Sequence, residues 1–203
     1  MNLKETYNKI AKDWHGDHQK DSRWVKGANT FLSFLQKGDS VLDVGCGPGI
    51  TSKYFTGKGL RVTGIDFSEK MLEIAKQEVP SGEFLVLDLK DADMLEDLFE
   101  GIFMQAVLLH IPKKDVAEHL RKLTGRLKEG GYLSIAVKEK KPDGVEEEIK
   151  TENDYGYSYE RFFSYYTVEE IESHMRTLGL TIVFSEVRPS GKTNWVEVIG
   201  KKE

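Results

Sequence analysis

The feature that most limits the possible folds is the stretch VLDVGCGPG, Val41 to Gly49. It is a short apolar run that carries one carboxylate, Asp43, and it is followed at once by a turn rich in glycine. Glycine adopts backbone conformations that other residues avoid, and it lets backbone N–H groups come close to a bound molecule. The stretch therefore predicts a buried strand, a tight turn that faces a ligand, and a helix behind the turn.

Short apolar runs alternate along the chain with longer segments of helical periodicity. Five of these runs are predicted to be strands: SVLDV, RVTGID, EFLVLD, GIFMQAVLL and GYLSIAVK. The helical segments between them are ITSKYFTGKG, SEKMLEIAKQEV and KDVAEHLRKLTGRLKEG. This alternation is typical of a parallel sheet with helices on both faces, so an α/β fold is expected.

The chain changes character after Lys138. Residues 139–166 are first highly charged and then rich in tyrosine, without a clean period, which predicts a long loop over the site. Thr167 and Glu170 form a capping-box pattern at the start of a last helix, TVEEIESHMRTLG. Two strands joined by a turn at residues 189–192 end the chain, and such a hairpin makes the last strand antiparallel.

The length and composition favour a single domain. The 203 residues are 39% hydrophobic and 31% charged, which is enough apolar material for one buried core. We expect four parts within this domain, 1–203: helices that form an N-terminal lid at 1–30, a ligand-binding core at 38–138, the loop at 139–166, and the last helix with its hairpin at 167–203.

Charge and cysteine content exclude several classes of protein. The 29 basic and 34 acidic residues give a net charge of −5, so no nucleic-acid partner is expected. Cys46 is the only cysteine, which excludes an intrachain disulfide and a cysteine-rich metal site, and we assign no metal. The N-terminus is too charged for a signal peptide and no apolar run is long enough to span a membrane, so a cytoplasmic protein without membrane contact is expected.

A second acidic residue strengthens the meaning of the glycine turn. Asp66 ends the run RVTGID about 20 residues after the turn, the spacing at which a carboxylate accepts hydrogen bonds from ribose hydroxyls. A nicotinamide dinucleotide is the first alternative, but its fingerprint is G-x-G-x-x-G, and here Gly45, Gly47 and Gly49 alternate with single residues. The Walker pattern for nucleoside triphosphates is absent too.

The pattern of an apolar-flanked Asp, three alternating glycines and a second strand that ends in an acidic residue resembles the class I S-adenosylmethionine-dependent methyltransferases, from about Tyr7 to the C-terminus. The resemblance implies a Rossmann-like, seven-stranded, mostly parallel sheet with a C-terminal antiparallel hairpin. It also implies S-adenosylmethionine as cofactor, with its methionine part at the turn, its ribose at Asp66 and its adenine at Asp88 and Leu89. The implied cofactor residues on strands and turn are Asp43, Gly45, Cys46, Gly47, Gly49, Asp66, Phe67, Asp88 and Leu89. We expect Asp43 to fix the N–H groups of the turn, or to reach the cofactor's ammonium through water.

Methyl transfer from a sulfonium is an in-line displacement, so the protein must mainly align the acceptor, and a base is optional. His110 in LLHIP follows the fourth predicted strand and is the candidate base, since imidazole titrates near neutral pH. The alternative is that His110 only lines the cofactor pocket. The N/D-P-P-Y/F signature of enzymes that methylate nucleic-acid amino groups is missing there, so a small-molecule acceptor is expected.

Candidate contacts also come from both ends of the chain. Tyr7 and Trp14 lie near one face of the first helix and are expected to close over the cofactor, with simple amphipathic packing as the alternative. Arg161, Tyr165 and Lys138 are candidate ligands of a small anionic or aromatic acceptor, unless the segment around Arg161 only anchors the last helix. A catalytically silent cofactor-binding module and an NAD-dependent oxidoreductase remain as rival functions, and the sequence does not predict an oligomeric state.

Overall fold

The computed structural model describes residues 2–191 and 193–203, so Lys192 in the predicted last turn lies outside the described residues. Its centre is a seven-stranded sheet with the strand order β3-β2-β1-β4-β5-β9-β8. The strands are β1 (Ser40–Val44), β2 (Arg61–Asp66), β3 (Glu83–Val86), β4 (Phe99–Gln105), β5 (Leu127–Lys138), β8 (Leu180–Ser190) and β9 (Thr193–Lys202). β1 to β5 are parallel and β9 pairs antiparallel with both β5 and β8, so the predicted Rossmann-like sheet and its C-terminal hairpin are confirmed.

Six helices are described in the chain. They are α1 (Leu3–His18), α2 (Val25–Leu32), α3 (Ile50–Gly57), α4 (Glu69–Glu78), α5 (Lys113–Thr124) and α6 (Val168–Thr177). The side chain of Ser68 accepts a hydrogen bond from the N–H of Met71 and caps α4. Thr167 and Glu170 form the predicted capping box at the start of α6. None of the helices in the described part of the chain is long and apolar enough to cross a membrane.

The sheet is covered on both faces by apolar side chains. On α5, Val116, Leu120 and Leu123 recur at helical spacing and are fully buried against the sheet. α5 ends at Thr124, however, and not near Gly130 as the periodicity predicts. Leu127 already belongs to β5, where it pairs with Phe99 of β4, because its burial is satisfied in the sheet and the glycines that follow disfavour helix.

The predicted fourth strand, GIFMQAVLL, extends further at its carboxyl end than the strand in the structure. β4 stops at Gln105, and Ala106 turns the chain with a φ of +60°. A short 3-10 turn, Leu108–His110, follows. Leu108 and Leu109 are buried, so their apolar character reflects packing under the site and not a strand. The chain therefore leaves the sheet at the point where the carboxyl ends of the strands meet.

The segment predicted as a long loop contains a hairpin. β6 (Glu147–Glu152) and β7 (Tyr159–Ser164) form a separate two-stranded antiparallel sheet. Along β6 the side chains alternate between exposed and half-buried, but the half-buried residues are Glu148, Lys150 and Glu152. An inward face made of charged residues hides the apolar–polar alternation by which strands are recognised, which explains the missed hairpin.

Candidate cofactor and acceptor site

A cavity of about 920 Å³ lies beyond the carboxyl ends of the central strands, where ligands bind in open α/β sheets. α1, β7 and the β8–β9 end of the sheet contribute further wall residues. The wall brings together most of the residues predicted for the site: Tyr7, Trp14, Asp43, Gly45, Cys46, Gly47, Asp66, Phe67, Asp88, Leu89, His110, Lys138 and Arg161. Gly49 and Tyr165 are the two predicted residues that do not line it.

The three glycines of the turn have positive φ values but different surroundings. A Cβ on Gly45 would lie 2.5 Å from Cγ2 of Val107, so this position needs glycine for packing. A Cβ on Gly49 would lie 3.1 Å from Ala75 of α4, which makes Gly49 a packing glycine at the start of α3 and not a wall residue. At Gly47 a Cβ would meet nothing within 4 Å, so here the backbone stands open to the cavity. Only Gly47 therefore leaves space that a ligand can fill.

Asp66 ties the end of β2 to the glycine turn. Its carboxylate accepts hydrogen bonds from the N–H of Gly47 (3.0 Å) and the N–H of Ser68 (2.8 Å). Burial raises the pKa of Asp66 to about 6, because two backbone hydrogen bonds offset only part of the desolvation cost. Each carboxylate oxygen can accept further hydrogen bonds, so Asp66 can hold the turn and a ligand hydroxyl together.

Asp43 is buried under the turn, with 2% of its surface exposed. It accepts a hydrogen bond from the hydroxyl of Ser52 on α3 (2.7 Å), and not from the N–H groups of the turn that the sequence suggested. Burial raises the pKa of Asp43 to about 7. The neighbouring Cys46 thiol lies close to Gly64 and to the ring of Phe84, and Cys46 also belongs to the cavity wall.

The third strand contributes an acidic residue next to the ribose position. Asp88 accepts a hydrogen bond from the N–H of Lys90 (3.2 Å) and so begins a short 3-10 turn that carries the buried Leu89. Phe67 follows Asp66, and its ring meets that of Tyr7 edge to face at 5.8 Å. β3 ends at Val86, two residues earlier than predicted, so Asp88 follows that strand, whereas Asp66 ends β2 and Asp43 lies one residue before the end of β1. The three carboxylates thus lie along one side of the cavity.

His110 is held from both of its ring nitrogens. Nδ1 lies 2.7 Å from the carbonyl oxygen of Phe162, and Nε2 lies 2.7 Å from the hydroxyl of Tyr7. A carbonyl oxygen only accepts, so Nδ1 carries the proton and Nε2 accepts the Tyr7 hydroxyl proton. Burial lowers the pKa of His110 to about 3, and the imidazole is therefore neutral. His110 thus connects β7 to the first helix.

α1 covers the cavity as a lid, fastened on two sides. Thr6 and Lys9 donate side-chain hydrogen bonds to carbonyl oxygens of the hairpin, at 3.1 and 3.0 Å. On the other side the Asn8 side chain contacts Ser68 and Glu69 at the start of α4. Trp14 stacks on His18 with ring centroids 3.9 Å apart. α1 therefore connects the start of α4 to the hairpin.

The three residues predicted to bind the methyl acceptor differ in how many hydrogen bonds they already form within the protein. The guanidinium of Arg161 donates two hydrogen bonds to Glu152, and a third N–H lies 3.4 Å from the Tyr7 hydroxyl. Tyr165 donates its hydroxyl to Glu148 at 2.6 Å, outside the cavity wall. Lys138 lines the cavity with its ammonium 3.8 Å from the ring centroid of Phe163.

Gln105 and Ala106 line the cavity but were not predicted. Oε1 of Gln105 is buried and forms no hydrogen bond with any described residue. Among the described residues, 2–191 and 193–203, Ala106 is the only one other than glycine with a positive φ. Backbone strain of this kind is often found at functional sites. The sequence does carry a signal for Gln105, because it is a polar residue directly after the apolar run GIFM. His110 was identified in the same way, from its position after the fourth predicted strand. The strain at Ala106 has no signal in the sequence.

The wall fits S-adenosylmethionine. The open backbone at Gly47 offers room for its amino-acid arm, and the unpaired Gln105 oxygen is an acceptor for its ammonium. Asp66 and Asp88 offer carboxylate oxygens to a nucleoside on the neighbouring strands. The residues that would hold the cofactor are therefore those with space or unused acceptors, whereas Gly45 and Gly49 shape the turn.

Known proteins with similar sequences are methyltransferases. A family model described as a methyltransferase domain matches residues 41–131. The chain is 31% identical over 128 residues to the putative methyltransferase YqeM of Bacillus subtilis, covering 61% of this chain and 49% of the relative. It is 30% identical over 172 residues to phosphoethanolamine N-methyltransferase 1 of Zea mays, covering 80% of this chain and 33% of the relative. The chain thus spans half or less of the length of these two relatives.

The fold is shared with solved structures as well. The 1,6-didemethyltoxoflavin-N1-methyltransferase of Burkholderia thailandensis, crystallised with 1,6-didemethyltoxoflavin and S-adenosylhomocysteine, superposes with a TM-score of 0.77 at 19% sequence identity. The superposition covers 98% of this chain and 87% of that chain, including the sheet that carries the glycine turn. Residues 41–131 therefore match a methyltransferase domain, and the chain shares its fold with solved S-adenosylmethionine-dependent methyltransferases.

Proposed function

We propose that this protein transfers a methyl group from S-adenosylmethionine to a small-molecule acceptor and releases S-adenosylhomocysteine. One observation carries the proposal. The backbone at Gly47 is open to the cavity and is held by Asp66, whose carboxylate lies in the same wall. This pairing places room for an amino-acid arm beside an acceptor for ribose hydroxyls, which matches the two ends of the cofactor.

The residues around the cofactor position act by binding and orientation. When bound, S-adenosylmethionine supplies an electrophilic methyl group. Asp66 and Asp88 would accept hydrogen bonds from the nucleoside, and Gln105 would accept from the amino-acid arm. Such contacts fix the direction of the transfer, and alignment is the main catalytic demand of an in-line displacement.

The other half of the cavity excludes water and positions the acceptor. We infer that His110 is a positioning residue and not the general base. The Tyr7 hydroxyl already donates to Nε2 of His110, and the pKa of the imidazole is far below neutral. Through Tyr7 it fastens α1 over the cavity. A net charge of −5 supports a small molecule as acceptor over a nucleic acid. The similar proteins from Zea mays and Burkholderia thailandensis are themselves named for small molecules.

The cofactor is tested by calorimetry with S-adenosylmethionine, S-adenosylhomocysteine and NAD. We expect saturable binding of the first two and none of NAD. Asp66→Ala should weaken binding of S-adenosylhomocysteine by about 1–3 kcal/mol, since the ribose hydroxyls lose a charged acceptor. Unchanged affinity in this variant would show that Asp66 is not the ribose ligand.

Turnover is tested separately, because a silent binding module would also bind the cofactor. The protein is incubated with S-adenosylmethionine labelled in its methyl group and an extract of small metabolites. We expect a labelled product that appears together with S-adenosylhomocysteine. Cofactor binding without any labelled product would favour the silent module.

A further inference from the structure

Three cations surround one buried phenyl ring at the hairpin side of the cavity. Relative to the ring centroid of Phe163, Nζ of Lys138 lies at 3.8 Å, Cζ of Arg161 at 5.1 Å and Nζ of Lys150 at 5.7 Å. The ring is 1% exposed. An aromatic face attracts a cation, but three like charges in one place repel each other and require compensation.

Carboxylates compensate two of these cations. Glu152 receives two hydrogen bonds from Arg161, one of them at 2.6 Å, and Glu148 lies 3.2 Å from Lys150. Lys138 forms no ion pair and donates no side-chain hydrogen bond within the described chain. The cluster therefore keeps an excess of one positive charge, and that charge belongs to Lys138.

The uncompensated ammonium lies on the cavity wall. Lys138, Arg161 and Phe163 line the cavity, whereas Lys150 does not. Lys138 ends β5, which lies on the opposite side of β4 from the strands that carry the cofactor carboxylates. Lys138 thus belongs to the part of the cavity wall that lies away from the carboxylates of β1 and β2.

We propose that the end of the cavity beside Lys138 binds an anionic group of the methyl acceptor, a carboxylate or a phosphate. The inference rests on the proposed function and specifies its substrate class. Arg161 is the obvious anion ligand from the sequence, but its guanidinium is already engaged by Glu152. A lysine ammonium acts as a point charge and accepts both anion types, so Lys138 alone does not select between them.

The proposal has a consequence for pH. The charged and titratable groups that face Lys138 are Arg161, Lys150, Glu152, Glu148 and His110. Burial, together with the two neighbouring cations, lowers the pKa of Lys138 to about 8, and the two carboxylates oppose this shift. Anion affinity should therefore fall as the pH rises above about 8, because the free ammonium loses its proton there. In Lys138→Arg this fall should disappear, since a guanidinium stays charged.

The test uses three small probes that share a benzene ring and differ in charge. Benzoate, phenyl phosphate and the uncharged benzamide are titrated into the protein saturated with S-adenosylhomocysteine, and into the ligand-free protein, with binding followed by nuclear magnetic resonance. Trp195 pairs with Lys138 between β9 and β5, lines the cavity and offers contact to the ring. We expect at least one acid to bind about tenfold more tightly than benzamide, since only the acids carry a negative charge that pairs with the ammonium.

Variants assign the effect to one residue. Lys138→Gln should weaken binding of the acid by about tenfold, and Lys138→Arg should retain it within about threefold. Lys150→Gln is the matched control, since it removes a cation of the same cluster outside the wall, and it should stay within about threefold. Equal losses in Lys138→Gln and Lys150→Gln would show a general field effect and overturn the site.

Equal affinity for benzamide, or no saturable binding of either acid, would also overturn the anion site. These outcomes are separate from the proposed function, because binding of S-adenosylhomocysteine is measured first on the same samples. A protein that binds S-adenosylhomocysteine but neither acid refutes the anion site alone. A protein that binds the acids through Lys138 but not S-adenosylhomocysteine refutes the proposed cofactor and leaves the anion site standing.

Discussion

The two halves of the cavity are built in different ways. The cofactor half consists of backbone and carboxylates at the ends of β1, β2 and β3, and Asp66 holds its turn by accepting from the N–H of Gly47. The acceptor half consists of side chains from α1, β7 and the end of β5, joined by contacts such as that between Tyr7 and His110. The first half is therefore part of the central sheet, whereas most of the second half lies on elements that cover the sheet.

This difference predicts how each half responds to substitution. A change in the cofactor half acts on the backbone of the sheet and should alter cofactor affinity directly. A change in the acceptor half acts on the lid and the hairpin and should alter local stability or acceptor binding, with the cofactor affinity preserved. Four substitutions or conditions test whether the halves are separable in this way.

The largest effect is expected from Gly47→Ala. Its Cβ would occupy the space that the cofactor needs, so affinity for S-adenosylhomocysteine should fall by about 1–3 kcal/mol, measured by calorimetry. Gly38→Ala is the matched control, because Gly38 also has a positive φ and open space but lies outside the cavity. Both variants should lose similar stability from backbone strain. An equal loss of affinity in the two variants would contradict the role of Gly47.

Glu152→Gln should be the most damaging change in the acceptor half. It leaves Arg161 half-buried without its carboxylate, so the free energy of unfolding should fall by about 1–2 kcal/mol in denaturant titrations. Glu148→Gln breaks a more exposed pair in the same hairpin and should cost at most about 0.5 kcal/mol. Affinity for S-adenosylhomocysteine should stay unchanged in both variants. A marked loss of affinity in Glu152→Gln would show that the halves are coupled.

Tyr7→Phe tests the fastening of the lid. Without the hydroxyl, Nε2 of the buried His110 loses its donor, which should cost about 1 kcal/mol and speed hydrogen exchange in α1. Tyr157→Phe removes a hydrogen bond of the hairpin to Asp13 on the exposed side of α1 and serves as control. If both variants exchange at the wild-type rate, the contact with His110 does not fasten the lid.

The smallest effect is expected from pH. Burial raises the pKa of Asp43 to about 7 and that of Asp66 to about 6, and a cationic ligand favours the ionised carboxylates. Affinity for S-adenosylmethionine should therefore fall as the pH drops from 8 to 5, by about three- to tenfold. S-adenosylhomocysteine lacks the sulfonium charge and should show a shallower fall. A flat profile for both ligands would mean that neither carboxylate ionises on binding.

The sequence predicts the cofactor half well because that half depends on local requirements. The turn needs glycine at Gly45 and Gly47, and Asp66 lies at a fixed spacing on the next strand, so each requirement leaves a mark in the sequence. The packing role of Gly49 against α4 could not be separated from ligand binding, because both demand a small residue.

The acceptor half was only partly predictable because its contacts join distant parts of the chain. Tyr7 and His110 are 103 residues apart, and no local pattern announces such a pair. The sequence does not reveal the hairpin, because the inward residues on β6 are charged. It also suggests Tyr165 for the site, although the Tyr165 hydroxyl donates to Glu148. Long-range ion pairs decide which side chains remain available for a ligand.

The base of the hairpin shows how the segment that covers the site is attached to the main sheet. Residues 139 and 166 form a single bridge, and the N–H of Tyr166 donates to the carbonyl of Lys138 at 3.1 Å, so the ends of the insertion are fixed to the main sheet. Between them, β6 and β7 pair as strands only with each other, but the hairpin also contacts α1 and His110. A hairpin of other length and charge grafted between the same two residues would therefore have to keep these contacts for the covering helix to stay in place.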